Sequence, residues 1–287
     1  YPAYFQFDDA LGRRIPNKGF DLTMASVIHA GYGPIYWDFG KCTDNDLRSI
    51  QEVRDLVARA KAAQAEYAAF SQEQVDHLVE AVATACAAQA ERLAKMAVEE
   101  TGFGVWQDKV LKNLLGSTMT YESIKDQKTV GILREDREKR IWEVAVPVGV
   151  VAALIPSTNP TSTVMYKTLI ALKAGNAIVI SPHPGAQNCI LETYSVIAKA
   201  VSAAGAPAGL VQCVRVPTME GTAALLKHRQ VGMILATGGE AMVRAAYCSG
   251  NPALGVGPGN GPSYIEKSAD IPLAVRRIFD SKTFDNG

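Results

Sequence analysis

The sequence predicts an α/β protein built on a doubly wound, mostly parallel sheet, with an N-terminal helical region and a β-hairpin ahead of it. Three observations carry that expectation. From Val148 onward, short β-branched apolar runs alternate with stretches of helical periodicity. The runs are apolar along their whole length rather than at every second position, which suits strands covered on both faces. Strands joined by helices in this way need right-handed crossovers, and these build an open sheet whose ligands lie beyond the carboxyl ends of the strands.

Residues 1–43 stand apart from the rest. They hold Tyr1, Tyr4, Phe5, Phe7, Phe20, Tyr32, Tyr36, Trp37 and Phe39 among Gly and Pro, with no sustained period. The expectation is an extended, loop-rich arm. A helix that recruits a partner would need an amphipathic 3.6-residue pattern, which is missing here.

Residues 44–127 read as helices. Asp44 or Asn45 can cap a helix carrying Ile50, Val53, Leu56 and Val57. Ser71 followed by Gln74 has the spacing of a capping box and opens a helix with Val75, Leu78, Val79 and Val82. An Ala-rich run from Ala81 to Met96 continues the signal to Thr101-Gly102, and a further helix fits between Val105 and Tyr121. These are expected to be packing helices, with nothing in them that points to chemistry.

Over 128–147 the period changes to that of a hairpin. Lys128–Leu133 and Arg140–Val146 are β-rich, separated by the charged turn Arg134–Glu138. The α/β region, 148–287, then gives strands at Val148–Ile155, Ala177–Ile180, Leu210–Val216, Val231–Ala236 and Ala253–Val256. Helices are expected at Thr161–Lys173, Gln187–Ala204, Glu220–Lys227, Ala241–Cys248 and Ile271–Phe279.

Composition narrows the function classes. Lys+Arg and Asp+Glu each number 29, so the formal net charge is zero and no broad nucleic-acid surface is implied. No apolar run approaches a membrane span, and Tyr1–Asp9 lacks the form of a secretory signal. The five cysteines are scattered, without a CxxC pair, so no metal site is expected and the thiols are expected to be small buried hydrophobes. A cytoplasmic protein, free or within a larger assembly, is the expectation.

Four strand ends carry candidate chemistry. Pro156-Ser157-Thr158-Asn159-Pro160 precedes a helix, where hydroxyls and an amide suit a phosphate or an oxyanion, or simply cap the helix. Ser181-Pro182-His183-Pro184-Gly185 is a stiff, narrow loop that could lie along a ribose. Its lone histidine reads more readily as structural than as catalytic. Thr237-Gly238-Gly239, with Met242 in the following helix, permits close backbone approach to a pyrophosphate, although it is not the G-x-G-x-x-G fingerprint. Gly255-Val256-Gly257-Pro258 alternates Gly and Pro in a backbone suited to run beside a flat ligand.

Together these strings, with Ala245-Ala246-Tyr247 and Ser281-Lys282-Thr283-Phe284-Asp285-Asn286-Gly287, resemble the aldehyde dehydrogenase superfamily, specifically its CoA-acylating branch. The resemblance begins near Asp46. It implies NAD as cofactor, with NADP an alternative, coenzyme A as co-substrate, and a small aldehyde oxidised to acyl-CoA through a thioacyl-cysteine. It places Asn159 as an oxyanion donor. It assigns Ser157, Ser181, Pro182, His183, Thr237, Gly238, Gly239, Met242, Gly255, Val256 and Gly257 to the cofactor. The hairpin resembles the family's oligomerisation arm, which implies a homo-oligomer. Hydrolytic members carry a water-activating glutamate at the position of Gly255, and its absence fits transfer to CoA. The resemblance also implies that the nucleophilic cysteine lies a few residues past Gly287, so the chain alone is expected to be inactive. Competing readings are a non-catalytic binding module and an acylating enzyme for a longer or sulfonated aldehyde.

Overall fold

A computed structural model describes residues 7–8, 14–15, 44–259 and 261–286, in two units that divide between Thr43 and Asp44. In the first unit, Phe7–Asp8 (β1) and Arg14–Ile15 (β2) pair antiparallel. The other aromatic positions of that stretch, and Cys42, lie outside the described residues.

The second unit opens with helices whose ends obey the capping chemistry. Asn45–Tyr67 (α1) is capped by Asp44, whose carboxylate accepts from the N–H groups of Asp46 and Leu47. Gln72–Ala88 (α2) begins with the expected capping box, satisfied from both sides by Ser71 and Gln74. The single long helical signal that follows is broken at Gln89, so Ala90–Thr101 (α3) is separate and ends at Gly102 in the left-handed region at φ 68°. Trp106–Leu114 (α4) runs into a π-helical turn at Leu115–Met119 and then Thr120–Ile124 (α5). A Cβ at Gly116 would stand 2.7 Å from the Ser162 carbonyl, so only glycine lets this turn approach the next layer so closely.

The hairpin differs from expectation in its turn. Its strands are Gly131–Asp136 (β3) and Ile141–Ala145 (β4), with Asp136 opposite Ile141. The charged residues Arg134 to Asp136 belong to the strand, where Arg134 pairs with Glu143 across it at 2.9 Å. The turn falls at residues 137–140 and closes through Arg140 at φ 58°.

The main sheet is five-stranded and parallel among the described residues. Its strands are Val150–Leu154 (β5), Ala177–Ser181 (β6), Val211–Cys213 (β7), Val231–Thr237 (β8) and Ala253–Val256 (β9), in spatial order β7-β6-β5-β8-β9. Every residue of β5 and β6 is buried, as full-length apolar strands require. Strands β5 and β7 are shorter than the apolar runs that contain them. Between the strands run Pro160–Lys173 (α6), Gln187–Ala203 (α7), Met219–Leu226 (α8) and Glu240–Tyr247 (α9), and Ile271–Thr283 (α10) follows β9. Helix α10 extends one turn beyond its expected end. The chain passes from β5 outward to β6 and β7, then returns to β8 on the other side of β5. The order therefore reverses between β5 and β8, where the general rule for open α/β sheets puts a ligand crevice beyond the strand ends. No helix among the described residues is long and apolar enough to cross a membrane.

Candidate active site

Register brings the four strand-end segments to one edge. Leu154 lies beside Ser181 on one side and Ala236 on the other, Ala236 beside Gly255, and Thr237 beside Val256. The Ile155 N–H donates to the Ser181 carbonyl at 3.1 Å, and the Gly238 N–H to the Val256 carbonyl at 3.2 Å, so the segments stay paired past the strands. Adjacent strands lie about 4.8 Å apart, so residues 157–159, 181–183, 237–242 and 255–257 span a width of roughly 15 Å.

At the end of β5, Asn159 takes the N-cap position of α6, with Pro160 at the first helical residue. Its side chain does not cap the helix. Instead the amide oxygen Oδ1 accepts from Lys112 Nζ at 3.1 Å. Among the described residues, Nδ2 donates to nothing. Ser157 is half-buried beside it.

The partner that holds Asn159 comes from α4, a helix expected only to pack. Lys109, Lys112 and Asn113 fall at i, i+3 and i+4 on one face of it. Lys109 Nζ donates to the Thr158 carbonyl at 2.7 Å, and Asn113 Oδ1 accepts from Thr161 Oγ1 at 2.7 Å. Asp285, at φ 53°, completes the cluster: its carboxylate accepts from Lys109 at 3.0 Å, Lys112 at 2.6 Å and the Val105 N–H at 2.9 Å. Burial alone would raise the Asp285 carboxyl, but these donors, Lys112 foremost, outweigh it and hold the group below the ordinary carboxylate range.

At the reversal of strand order sits a third lysine that sequence reasoning missed. Lys167 of α6 is buried and donates to the carbonyls of Leu154 and Leu235, at 2.7 and 2.8 Å, on the neighbouring strands β5 and β8. Burial pulls its amine down to about 7. A neutral amine has two N–H donors, and two acceptors face it.

The remaining candidates stand as follows. Ser181 and Pro182 are buried, whereas His183 is exposed and its Nδ1 accepts from the Gly185 N–H at 3.0 Å. A neutral His183 therefore carries its proton on Nε2. Thr237 Oγ1 is 3.4 Å from the Tyr166 hydroxyl. Gly239 is the N-cap of α9, and among the described residues that helix has no side-chain cap and nothing lies within 4 Å of where a Cβ would stand. The Met242 stem lies 3.6 Å from the corresponding point at Gly238. Gly255 is the opposite case. A Cβ there would meet Val243 Cγ1 at 2.6 Å and the Tyr247 ring at 2.9 Å, and the Gly255 N–H donates to the Tyr247 hydroxyl at 2.9 Å. Val256 is exposed.

Cys86, Cys189 and Cys213 are buried as expected. Burial pushes the Cys86 thiol up to about 12 and the other two higher still, so none of the three offers a thiolate. Cys248 departs from expectation: it is exposed, at the C-cap of α9, the end away from Gly239.

The aldehyde dehydrogenase family profile matches residues 42–287. The chain is 47% identical over 241 residues to the bifunctional aldehyde-alcohol dehydrogenase AdhE of Escherichia coli strain K12, which covers 84% of this chain and 27% of that protein. A probable aldehyde dehydrogenase from Listeria monocytogenes EGD-e superposes with a TM-score of 0.84 at 63% identity, over 85% of this chain and 54% of the other. An acetylating aldehyde dehydrogenase from Geobacillus thermoglucosidasius superposes with a TM-score of 0.83 at 56% identity, again over 85% and 54%. The chain thus spans about half the length of these solved relatives and about a quarter of the bifunctional one.

Proposed function

This chain belongs to the aldehyde dehydrogenase family, and from that premise we propose that it supplies the dinucleotide-binding part of a CoA-acylating aldehyde dehydrogenase. The reaction is aldehyde, CoA and NAD+ to acyl-CoA, NADH and a proton, and it runs in either direction. A short aldehyde such as acetaldehyde is the proposed substrate.

The observation that carries the acylating reading is the packing at Gly255. Val243 and Tyr247 fill the space into which any side chain at this position would grow. A carboxylate that activates water has no room there, so a thioester formed nearby is spared hydrolysis and persists until a thiol arrives. Transfer to CoA follows from that lifetime.

The residues at the sheet edge suit a dinucleotide. Gly239 leaves open space before the uncapped N-terminus of α9, where backbone N–H groups and the helix dipole favour a pyrophosphate. Gly238, Thr237 and Met242 would border the same group. Ser157, Ser181, Pro182 and His183 would line the ribose side, and Gly255, Val256 and Gly257 the nicotinamide side. When bound, NAD+ supplies the hydride acceptor. Asn159, whose Nδ2 has no partner among the described residues, would donate to the aldehyde oxygen as negative charge develops on it. The thiolate must come from a cysteine other than the three buried ones. The hairpin β3–β4 exposes Ile132, Leu133, Trp142 and Val144 and would serve as an arm between subunits.

Titrating the chain with NAD+ and NADP+ tests the cofactor assignment. Saturable binding is expected, tighter for NAD+, because the Ser181–Gly185 segment holds neither Lys nor Arg for a 2′-phosphate. Binding of neither dinucleotide would overturn the assignment. In the full-length protein, NADH formation that requires both aldehyde and CoA is the expected activity, and equal turnover without CoA would point to hydrolysis instead.

A further inference from the structure

We propose that Lys112 is a positioning residue for Asn159: its ammonium decides which end of the carboxamide faces the crevice, and Asp285 holds the ammonium in place. This goes one layer behind the site and rests on Asn159 acting as the oxyanion donor. A carboxamide has an acceptor at one end and a donor at the other, of nearly equal size, so packing alone does not choose between them. A lysine ammonium has donors only. The end of Asn159 that lies 3.1 Å from Lys112 Nζ is therefore the oxygen. Nδ2 is left turned from the lysine and unpartnered among the described residues, available to an oxygen that gains charge.

The usual use of an asparagine here would be to cap the helix that it begins, and that bond is absent in α6. The amide is thus reserved by Lys112 from the competing local role. Lys112 is in turn fixed from two sides, by Asp285 Oδ2 at 2.6 Å and by the Phe284 ring, whose centroid is 5.5 Å from Nζ. Asp285 is itself held by Lys109 and the Val105 N–H, and its own N–H donates to Asp108 Oδ2 at 2.8 Å. Lys109 does for the backbone of Thr158 what Lys112 does for the side chain of Asn159. Without the Lys112 ammonium, Asp285 Oδ2 loses a donor and the amide gains by turning its Nδ2 inward. The oxygen would then face the crevice and repel the developing charge.

The test is a double-mutant cycle in the full-length enzyme, read as kcat, the KM for NAD+ and the melting temperature. Lys112→Met is expected to lower kcat about tenfold or more, short of the loss for a deleted oxyanion donor. The KM for NAD+ should stay within about twofold, and Lys112→Arg, which has donors only, should restore most of the rate. In an Asn159→Ala background, Lys112→Met should change kcat by less than about twofold, the margin within which independent effects add. A full tenfold loss in that background, or no loss in the wild type, would overturn the proposal. If Lys112→Met does not fold, Lys112→Arg and Lys112→Gln replace it. Glutamine offers both ends and does not choose, so equal kcat for the two would overturn the proposal as well. Full activity in Asn159→Ala alone would instead remove the oxyanion reading, and that result is read without any change at Lys112.

Discussion

Asn159 begins a helix that it does not cap, and Lys167 is a buried amine that pairs with no carboxylate among the described residues. Both depart from ordinary residue behaviour, and both sit at the strand ends. That the small residues stand at the strand ends was legible in the sequence, because Gly, Pro and Asn state their backbone needs locally. Lys112, Asp285 and Lys167 were not, since each acts on a group far along the chain: Lys112 and Asp285 are 173 residues apart, and Lys167 and Leu235 are 68 apart. Lys167 gives a prediction with a definite sign. Its native value of about 7 lies below the ~10.4 of an unfolded lysine. Between the two, the unfolded chain holds the proton and the native state does not, so stability rises with pH through that window. Lys167→Met should remove this rise and, at pH 9, cost about 1–3 kcal/mol by leaving two buried carbonyls without donors. Urea unfolding of both proteins at pH 7 and pH 9 measures it. Parallel pH dependence in the two would mean that Lys167 stays charged.

Elements whose ends carry a cap were placed to within a residue or two by the sequence: α1 by Asp44, α2 by Ser71, α3 by Gly102. The hairpin turn was displaced because charged residues in an exposed strand look like loop residues, and the π-turn at Leu115–Met119 has no local signal of its own. Two carboxylate-to-backbone clamps were equally hidden. Glu100 of α3 accepts from the N–H groups of Asn188 and Cys189 at the start of α7, and Glu52 of α1 accepts from those of Arg215 and Val216 beyond β7. The start of α9 carries the prediction at this scale. Aspartate at Gly239 would meet nothing within 4 Å at Cβ among the described residues, would need no unusual φ, and would be able to cap the helix. Gly239→Asp should therefore raise stability by a few tenths of a kcal/mol, the usual gain of a capping side chain over glycine. The same carboxylate would occupy the N–H groups that a pyrophosphate needs and repel it. Melting curves with and without NAD+ should show a firmer protein whose melting temperature no longer responds to the cofactor. A variant that still shifts with NAD+ would place the pyrophosphate elsewhere.

At the scale of the molecule, the alternation of apolar runs and helices was enough for a doubly wound sheet. The order β7-β6-β5-β8-β9, which puts the reversal beside β5, came only with the structure. Apolar runs fix how deeply a strand is buried but not which neighbour it takes. The Asp285 cluster joins the end of the described chain to α4 and to the β5–α6 segment. The donors around Asp285 hold its carboxyl below the unfolded value, so its stabilisation is complete above about pH 4 and fades as pH falls through the lower native value. Asp285→Asn keeps a residue tolerant of the left-handed backbone and removes the charge. It should lower stability at pH 7, and the gap to the wild type should close below pH 4. A gap unchanged at pH 3 would argue against the ion cluster as its source. The span of the Lys112–Asp285 contact also bears on how the protein is made. During synthesis Asn159 and Lys112 leave the ribosome well before Asp285 does, so the helices and sheet can assemble around an amide whose lysine is not yet anchored. The arrangement at Asn159 would then be set only once Asp285 has been made, and a nascent chain arrested before Asp285 would hold Asn159 beside a lysine without its anchor.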